Sequence, residues 1–351
     1  MVAGRIFWWL PLLSIASCRA PQACEGLLCL PSQQVVIHNP SGAVLVANYM
    51  EAFRPGVVWL GDAVEHRIGL QPGCWELQAT LPHECWAVPL PLSPSALRPD
   101  VVEVTITPPP VPLVGMAWIP PGPALVGDVL GVGQEDERPA RVLDVDGFWI
   151  STTEITNAEF VDFLNGVGEV QADWLGPDSR KCRIHRGADG RYTTDAGTFP
   201  VVTVSYAGAV AYCDWQTRAT GRRHRLPSEI EWEKAARGPA SATYSYGDTF
   251  TQAAANQESG ELRPIAEHPA NGFGLFDMTG NAFEWVADVY DRAAYTKEAI
   301  SADGEYRVLR GGSFVLDGMF LRNSMRMKLR PGVRADDVGF RVVVEIEEIR
   351  R

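Results

Sequence analysis

Cysteine is the first residue type here that could do chemistry, because a thiolate is at once a nucleophile, a redox group and a soft metal ligand. Cys18, Cys24, Cys29, Cys74, Cys85, Cys182 and Cys213 are the only cysteines, and none follows Cys213. Cys24-x4-Cys29 has the form of a metal half-site, yet no second Cys or His pair lies at zinc spacing, so it reads as a disulfide. His38, His66, His83, His185, His224 and His268 are scattered without a His-x3-His pair, and no Gly-x-Ser-x-Gly elbow marks a serine nucleophile. From Leu316 to Lys328, Asp317, Met319, Phe320, Arg322, Met325 and Arg326 supply the large apolar and arginine side chains that anchor interfaces.

These residues need an address and a scaffold. Arg5, the apolar run Ile6 to Ile15 and the small residues after it form a signal-peptide layout over 1–17, and ten apolar residues are too few to span a bilayer. Ile15-Ala16-Ser17-Cys18 resembles a bacterial lipobox, in which the Cys becomes the acylated first residue. The expectation is a lipoprotein held in the bacterial cell envelope, facing the periplasm or the exterior, that meets the membrane through its lipid anchor only. Without Cys18 six cysteines remain, an even number suited to an oxidising compartment. Spacing does not fix their connectivity; nearness in sequence suggests Cys24 with Cys29 and Cys74 with Cys85, leaving Cys182 with Cys213. A net charge of −12 repels phosphate backbones, so no nucleic-acid partner is expected.

Hydrophobic residues make up 46% of the 351, enough for a core, while 33 Gly and 26 Pro argue for many turns and few long helices. Residues 30–107 carry short alternating runs such as Val35-x-Ile37, Trp75-x-Leu77 and Val102-x-Val104-x-Ile106, predicting a small antiparallel β domain of sandwich type. The proline-rich connector 108–112 cannot supply ladder donors and marks a boundary. The second domain, 113–348, has three helix starts: a Thr156/Glu159 capping box, Ser205, and a Ser228/Glu231 capping box whose helix closes at Gly238. Strand and loop fill the rest, giving a loop-rich α+β class.

Several words then occur in order: Glu154-Ile155-Thr156-Asn157, Phe199-Pro200-Val201-Val202, Ala211-Tyr212-Cys213-x-Trp215, Arg225-Leu226-Pro227-Ser228-Glu229-x-Glu231-Trp232, Gly280-Asn281-Ala282-x-Glu284-Trp285, Arg310-Gly311-Gly312-Ser313-Phe314 and Gly339-Phe340-Arg341. Together they resemble the formylglycine-generating enzyme (sulfatase-modifying factor) family over about two thirds of the chain. The resemblance implies a C-type-lectin-related fold with little regular secondary structure, a structural Ca2+ at the Asn281/Glu284 word, and a substrate groove beside the Arg310–Ser313 word, with Trp285, Arg310, Ser313, Asp317, Arg322 and Arg326 as groove candidates.

The same resemblance shows what is missing. Oxidising members hold Cu(I) between two cysteines after the Arg-Gly-Gly-Ser word and convert a substrate cysteine to formylglycine with oxygen. Those positions are Leu316 and Leu321 here, and a leucine has neither lone pair nor thiolate, so copper is not expected. Members that bind iron use a histidine-bearing helical domain, which the β-rich first domain does not resemble. Val342 stands where many members have the cysteine that pairs with the one in Ala-Tyr-Cys, which leaves Cys182 as the partner for Cys213 within the domain. The resulting expectation is a pseudoenzyme, a non-catalytic binding or scaffold module for a protein, peptide or surface-polymer ligand. The alternatives are an oxidoreductase of formylglycine-generating type with an unorthodox site and a ligand binder diversified like C-type-lectin receptors.

Overall fold

The computed structural model describes residues 33–38, 44–49, 56–61, 63, 65–70, 73–81, 84–92, 101–105, 110–239, 241–297 and 303–346. The signal segment, Cys18, Cys24, Cys29 and part of the proline connector lie outside them.

The alternating runs of the first domain fall in strands, except that Ile106, the last residue of the run Val102-x-Val104-x-Ile106, lies outside the described residues, and the strands form two sheets. Glu65–Leu70, Gln33–His38 and Val101–Thr105 make one; Gly56–Gly61, Val44–Tyr49, Gly73–Leu81 and Glu84–Leu92 make the other. One pairing departs from the antiparallel expectation: Gln33–His38 runs parallel to Val101–Thr105. A parallel pair needs a long crossover, and the strands between the two supply it. Cys74 and Cys85 do sit on adjacent strands, but Cys85 pairs with Thr80 and Cys74 with Pro91. Six residues at about 3.3 Å each put roughly 20 Å between the two cysteines along the ladder. A disulfide spans less than about 7 Å between Cα atoms, so this strand register sets the two positions of the expected Cys74–Cys85 bond apart along the ladder.

The second domain is built on its caps. Helix α1 (Asn157–Gly166) begins where the Thr156 hydroxyl accepts from Glu159 N while the Glu159 carboxylate accepts from Thr156 N. Helix α2 (Tyr206–Thr220) starts on Ser205 and ends on Gly221, whose φ of 73° needs no Cβ. Helix α3 (Glu229–Arg237) repeats the capping box with Ser228 and Glu231. The first two helices bury Phe160, Phe163 and Tyr212 against Phe340, with ring centroids 5.1 to 6.1 Å apart. Helix α3 packs instead with Trp232, Phe148 and Val308 in a second cluster.

Two four-stranded sheets frame these clusters. One runs His224–Arg225, Val343–Val344, Phe148–Ser151, Met116–Ile119; the other runs Met327–Leu329, Arg307–Arg310, Phe283–Val289, Val338–Phe340. The terminal strand covers only Val343–Val344. Two two-stranded sheets, Gly122–Val126 with Arg141–Val145 and Ile184–Arg186 with Tyr192–Thr194, complete the strands of this domain. Loops and four short 3-10 segments occupy the rest of its described residues, so the class is α+β and loop-rich. Among the described residues no helix is long and apolar enough to cross a membrane.

Candidate functional site

Leu316 and Leu321, where the resemblance requires sulfur, lie just before and at the end of the 3-10 turn Gly318–Leu321. Leu321 is fully buried and its Cδ2 occupies the place a Cβ on Gly312 would need, while the Gly311 face receives the Trp232 ring. The glycine pair, at φ 93° and 75°, thus lets side chains and not a ligand approach the backbone. Leu316 and Phe320 pack, half-buried, against the aromatic core.

The groove candidates are mostly interior. Trp285 is fully buried and donates from Nε1 to Val204 O at 2.9 Å. Buried Ser313 donates from Oγ to Asp337 at 2.8 Å. Asp317 alone is open to solvent, and one of its oxygens caps the 3-10 turn at Met319 N.

The three arginines belong to buried ion pairs. Glu229, Glu233 and Arg237 follow one another at four-residue intervals, one stripe on α3. Arg326 grips Glu229 with two bonds of 2.6 and 2.8 Å. Arg310 reaches Glu233 at 2.6 Å and the carbonyls of Ser324 and Met325, and Arg237 closes on Glu233 from the other side at 2.7 Å. Burial pushes the Glu233 carboxyl up, but the Arg237 and Arg310 charges outweigh it and hold the group below its usual range. Arg322 pairs with buried Glu137 at 2.8 Å, whose other oxygen takes the Ser324 hydroxyl. The arginines therefore tie the 322–326 segment to α3 and to the 135–137 turn. Sequence reasoning named them as ligand contacts and missed Glu137, Glu229 and Glu233; the four-residue stripe was the available signal for Glu229 and Glu233, and none marked Glu137.

The expected calcium ligands do not converge as side chains. Both Glu284 oxygens are consumed, by Arg341 at 2.7 Å twice and by Trp232 Nε1 at 2.7 Å. Asn281 Oδ1 accepts from Asn256 Nδ2 and Arg263 N, each at 3.0 Å. Glu154, whose Oε1 accepts from Asn281 Nδ2 at 2.9 Å, leaves its Oε2 without a partner, and burial, with the Asp277 charge, raises that carboxyl well above its ordinary range. Among the described residues no group of three His, Cys, Asp or Glu could hold a metal ion.

Cys182 and Cys213 are both buried free thiols, so the disulfide expected between them is absent. Burial raises the Cys213 thiol far above its ordinary value, with the Asp214 charge adding to the effect, which keeps it inert. An even cysteine count misled because small apolar thiols also serve as core residues.

One titration near this frame has a clear sign. Asp288 Oδ2 accepts Glu229 N at the start of α3, and burial beside the Glu229 charge pushes Asp288 up to about 6 from 3.8. The folded state therefore holds this proton more tightly, and the stability it contributes is full below pH 4 and lost as pH rises to about 6. Asp288→Asn is expected to raise stability at pH 7 by up to about 3 kcal/mol and to flatten the pH 4–7 dependence, read from urea midpoints. Equal pH profiles for both proteins would refute this.

Two hollows flank the leucine-filled position. One, of about 440 Å³, is walled by Arg180, Lys181, Phe199, Leu262 and Asp336. It adjoins the 313–316 segment, since Lys181 lies over the Phe314 ring and Ser259 N donates to Phe314 O. The other, of about 420 Å³, lies between Leu130, Val132, Tyr244, Phe250 and Met319.

A loop-rich α+β domain with paired capping boxes, a glycine pair against Trp232 and a Gly-Phe-Arg arginine locked on a buried glutamate defines a class of protein. The chain belongs to the sulfatase-modifying factor enzyme family: the "Sulfatase-modifying factor enzyme 1-like domain" matches residues 103–346. It is 34% identical over 229 residues to the serine/threonine-protein kinase Pkn1 of Chlamydia trachomatis, 62% of this chain but 36% of that protein, so it spans about a third of that relative's length. It is 30% identical over 274 residues to the mouse inactive C-alpha-formylglycine-generating enzyme 2, covering 64% of this chain and 84% of the relative. The structure of PvdO from Pseudomonas aeruginosa superposes with a TM-score of 0.56 at 29% identity, over 66% of this chain and 94% of that one.

Proposed function

We propose that this protein is a non-catalytic binding or scaffold module of the sulfatase-modifying factor family, exported to the bacterial cell envelope and anchored there by a lipid on Cys18. The observation that carries the reading is the pair Leu316 and Leu321, with Leu321 fully buried on Gly312 where a reactive thiol would have to stand. Leucine can neither form a mixed disulfide with a substrate cysteine nor ligate Cu(I). The two thiols described in this domain are buried, and Cys213 is held protonated. The mouse relative named as inactive, matched over 84% of its own length, is compatible with this reading. The ligand class is a protein, peptide or surface polymer.

The test is direct. The mature chain is incubated with Cu(I), oxygen, a thiol reductant and a cysteine-bearing sulfatase-type peptide, and the peptide is weighed by mass spectrometry. The peptide is expected to keep its cysteine; time-dependent aldehyde formation would establish the oxidoreductase alternative.

A further inference from the structure

We propose that the apolar groove between the 128–133 loop and the 318–321 turn docks an extended segment of a partner protein, one that carries a bulky apolar side chain flanked by lysine or arginine. The inference rests on the binding-module reading and names its partner chemistry.

The groove walls are large apolar side chains left in water. Leu130 is 59% exposed, Val132 62% and Met319 62%, and Phe250 stands beside them at 39%. Single exposed aliphatics are ordinary, but several around one hollow mark an interaction site.

The exposure is built in by the backbone wiring. Buried Asp128 accepts from the N–H groups of Leu130, Gly131 and Gly133 at 3.1, 3.0 and 2.7 Å. Arg138 pairs with Asp128 at 3.2 Å and donates to the carbonyls of Gly131 and Gly133 at 2.7 Å each. Burial opposes the Asp128 charge, yet the Gly133 bond and Arg138 prevail and keep it ionised. A loop tied at both its amides and its carbonyls cannot collapse to hide Leu130 and Val132, so they are displayed. Across the groove, Phe250 packs over Gly318, where a Cβ would overlap its ring, and its centroid lies 5.6 Å from that of Tyr244. Both walls are thus preformed, which lowers the ordering cost of binding.

Charge selects the occupant. The cation in the lining is Arg322, already neutralised by Glu137 at 2.8 Å. The groove's carboxylates, Asp248 in the lining and Asp317 on the adjoining turn, are both exposed. Asp317 is close enough for its charge to act on the Tyr244 hydroxyl. An apolar cleft with a negative mouth, on a chain of net charge −12, fits an apolar anchor between basic residues and repels an acidic one.

The probe is the fluorescently labelled peptide Lys-Lys-Trp-Leu-Phe-Lys-Lys, titrated with the full mature chain by fluorescence polarisation, alongside the same core flanked by glutamates. The lysine peptide is expected to bind and the glutamate peptide not. Leu130→Asp and Met319→Asp should each weaken binding about tenfold or more. Both sites are exposed, so melting temperatures should not move. Asp248→Asn with Asp317→Asn should reduce affinity several-fold and remove most of its salt dependence. Equal affinity in the groove variants, or equal binding of the glutamate peptide, would overturn the proposal. So would a dimer in light scattering that Leu130→Asp returns to monomer, since the occupant would then be a second copy. Aldehyde formation in the copper assay would remove the non-catalytic reading and leave the groove result standing, so the two failures are distinguishable.

Discussion

Arg310→Met is expected to destabilise the second domain by about 3–5 kcal/mol, the range for breaking a buried ion pair from one side. Against a typical domain stability of about 5–15 kcal/mol, that is enough to populate unfolded protein at growth temperature. The side chain is fully buried, and removing its guanidinium takes donors from Glu233 and from the Ser324 and Met325 carbonyls together. Glu233 keeps Arg237, Gly127 N and the Tyr295 hydroxyl, so the larger loss falls on the 323–326 segment. Arg322→Met should cost less, since Arg322 answers a single carboxylate at the edge of the groove. Urea unfolding of the two variants checks the order; an Arg310 variant as stable as the parent would show that the charge layer does not hold this segment. The ordering also warns against testing ligand capture with Arg322→Ala or Arg326→Ala, because lost folding would pass for lost binding.

The physical reason the helices were legible and the site was not is the range of the interactions. Each capping box closes over three residues, and Thr156 with Glu159 or Ser228 with Glu231 states a helix start in four letters. The partners of the arginines stand far along the chain: Glu233 is 77 residues from Arg310, Glu229 is 97 from Arg326 and Glu137 is 185 from Arg322. An arginine-rich segment beside a groove position looks the same whether its charges face water or a buried glutamate. The exposed loop was equally hidden, because Leu130 and Val132 read as ordinary apolar residues until Asp128 is seen to hold their backbone outward. The cysteines misled for a third reason: counting assumes that thiols pair, whereas strand register separates Cys74 from Cys85 and the core simply absorbs Cys182 and Cys213.

The fate of the former catalytic position is best tested by removing the side chain that fills it. Leu321→Ala is expected to cost about 3–5 kcal/mol, the cost of deleting a buried leucine whose surroundings cannot collapse. Gly312→Ala should also be costly, by about 1–2 kcal/mol for its left-handed backbone plus the overlap of the new Cβ with Leu321 and its 3.1 Å approach to the Phe320 carbonyl. The two changes share one space, so their costs should not add. In the double variant the alanine methyl enters volume that the Leu321 Cδ2 has vacated, which relieves that overlap and leaves the backbone strain and the approach to the Phe320 carbonyl. A coupling of about 1 kcal/mol or more in the favourable direction is expected from a double-mutant cycle on urea midpoints. Simple additivity would mean that Leu321 does not rest on Gly312 and that the cleft is open to a ligand at its base. Favourable coupling would mean that a thiol placed at residue 321 would point into packed backbone, so that the loss of chemistry here is a change of packing as well as of two side chains.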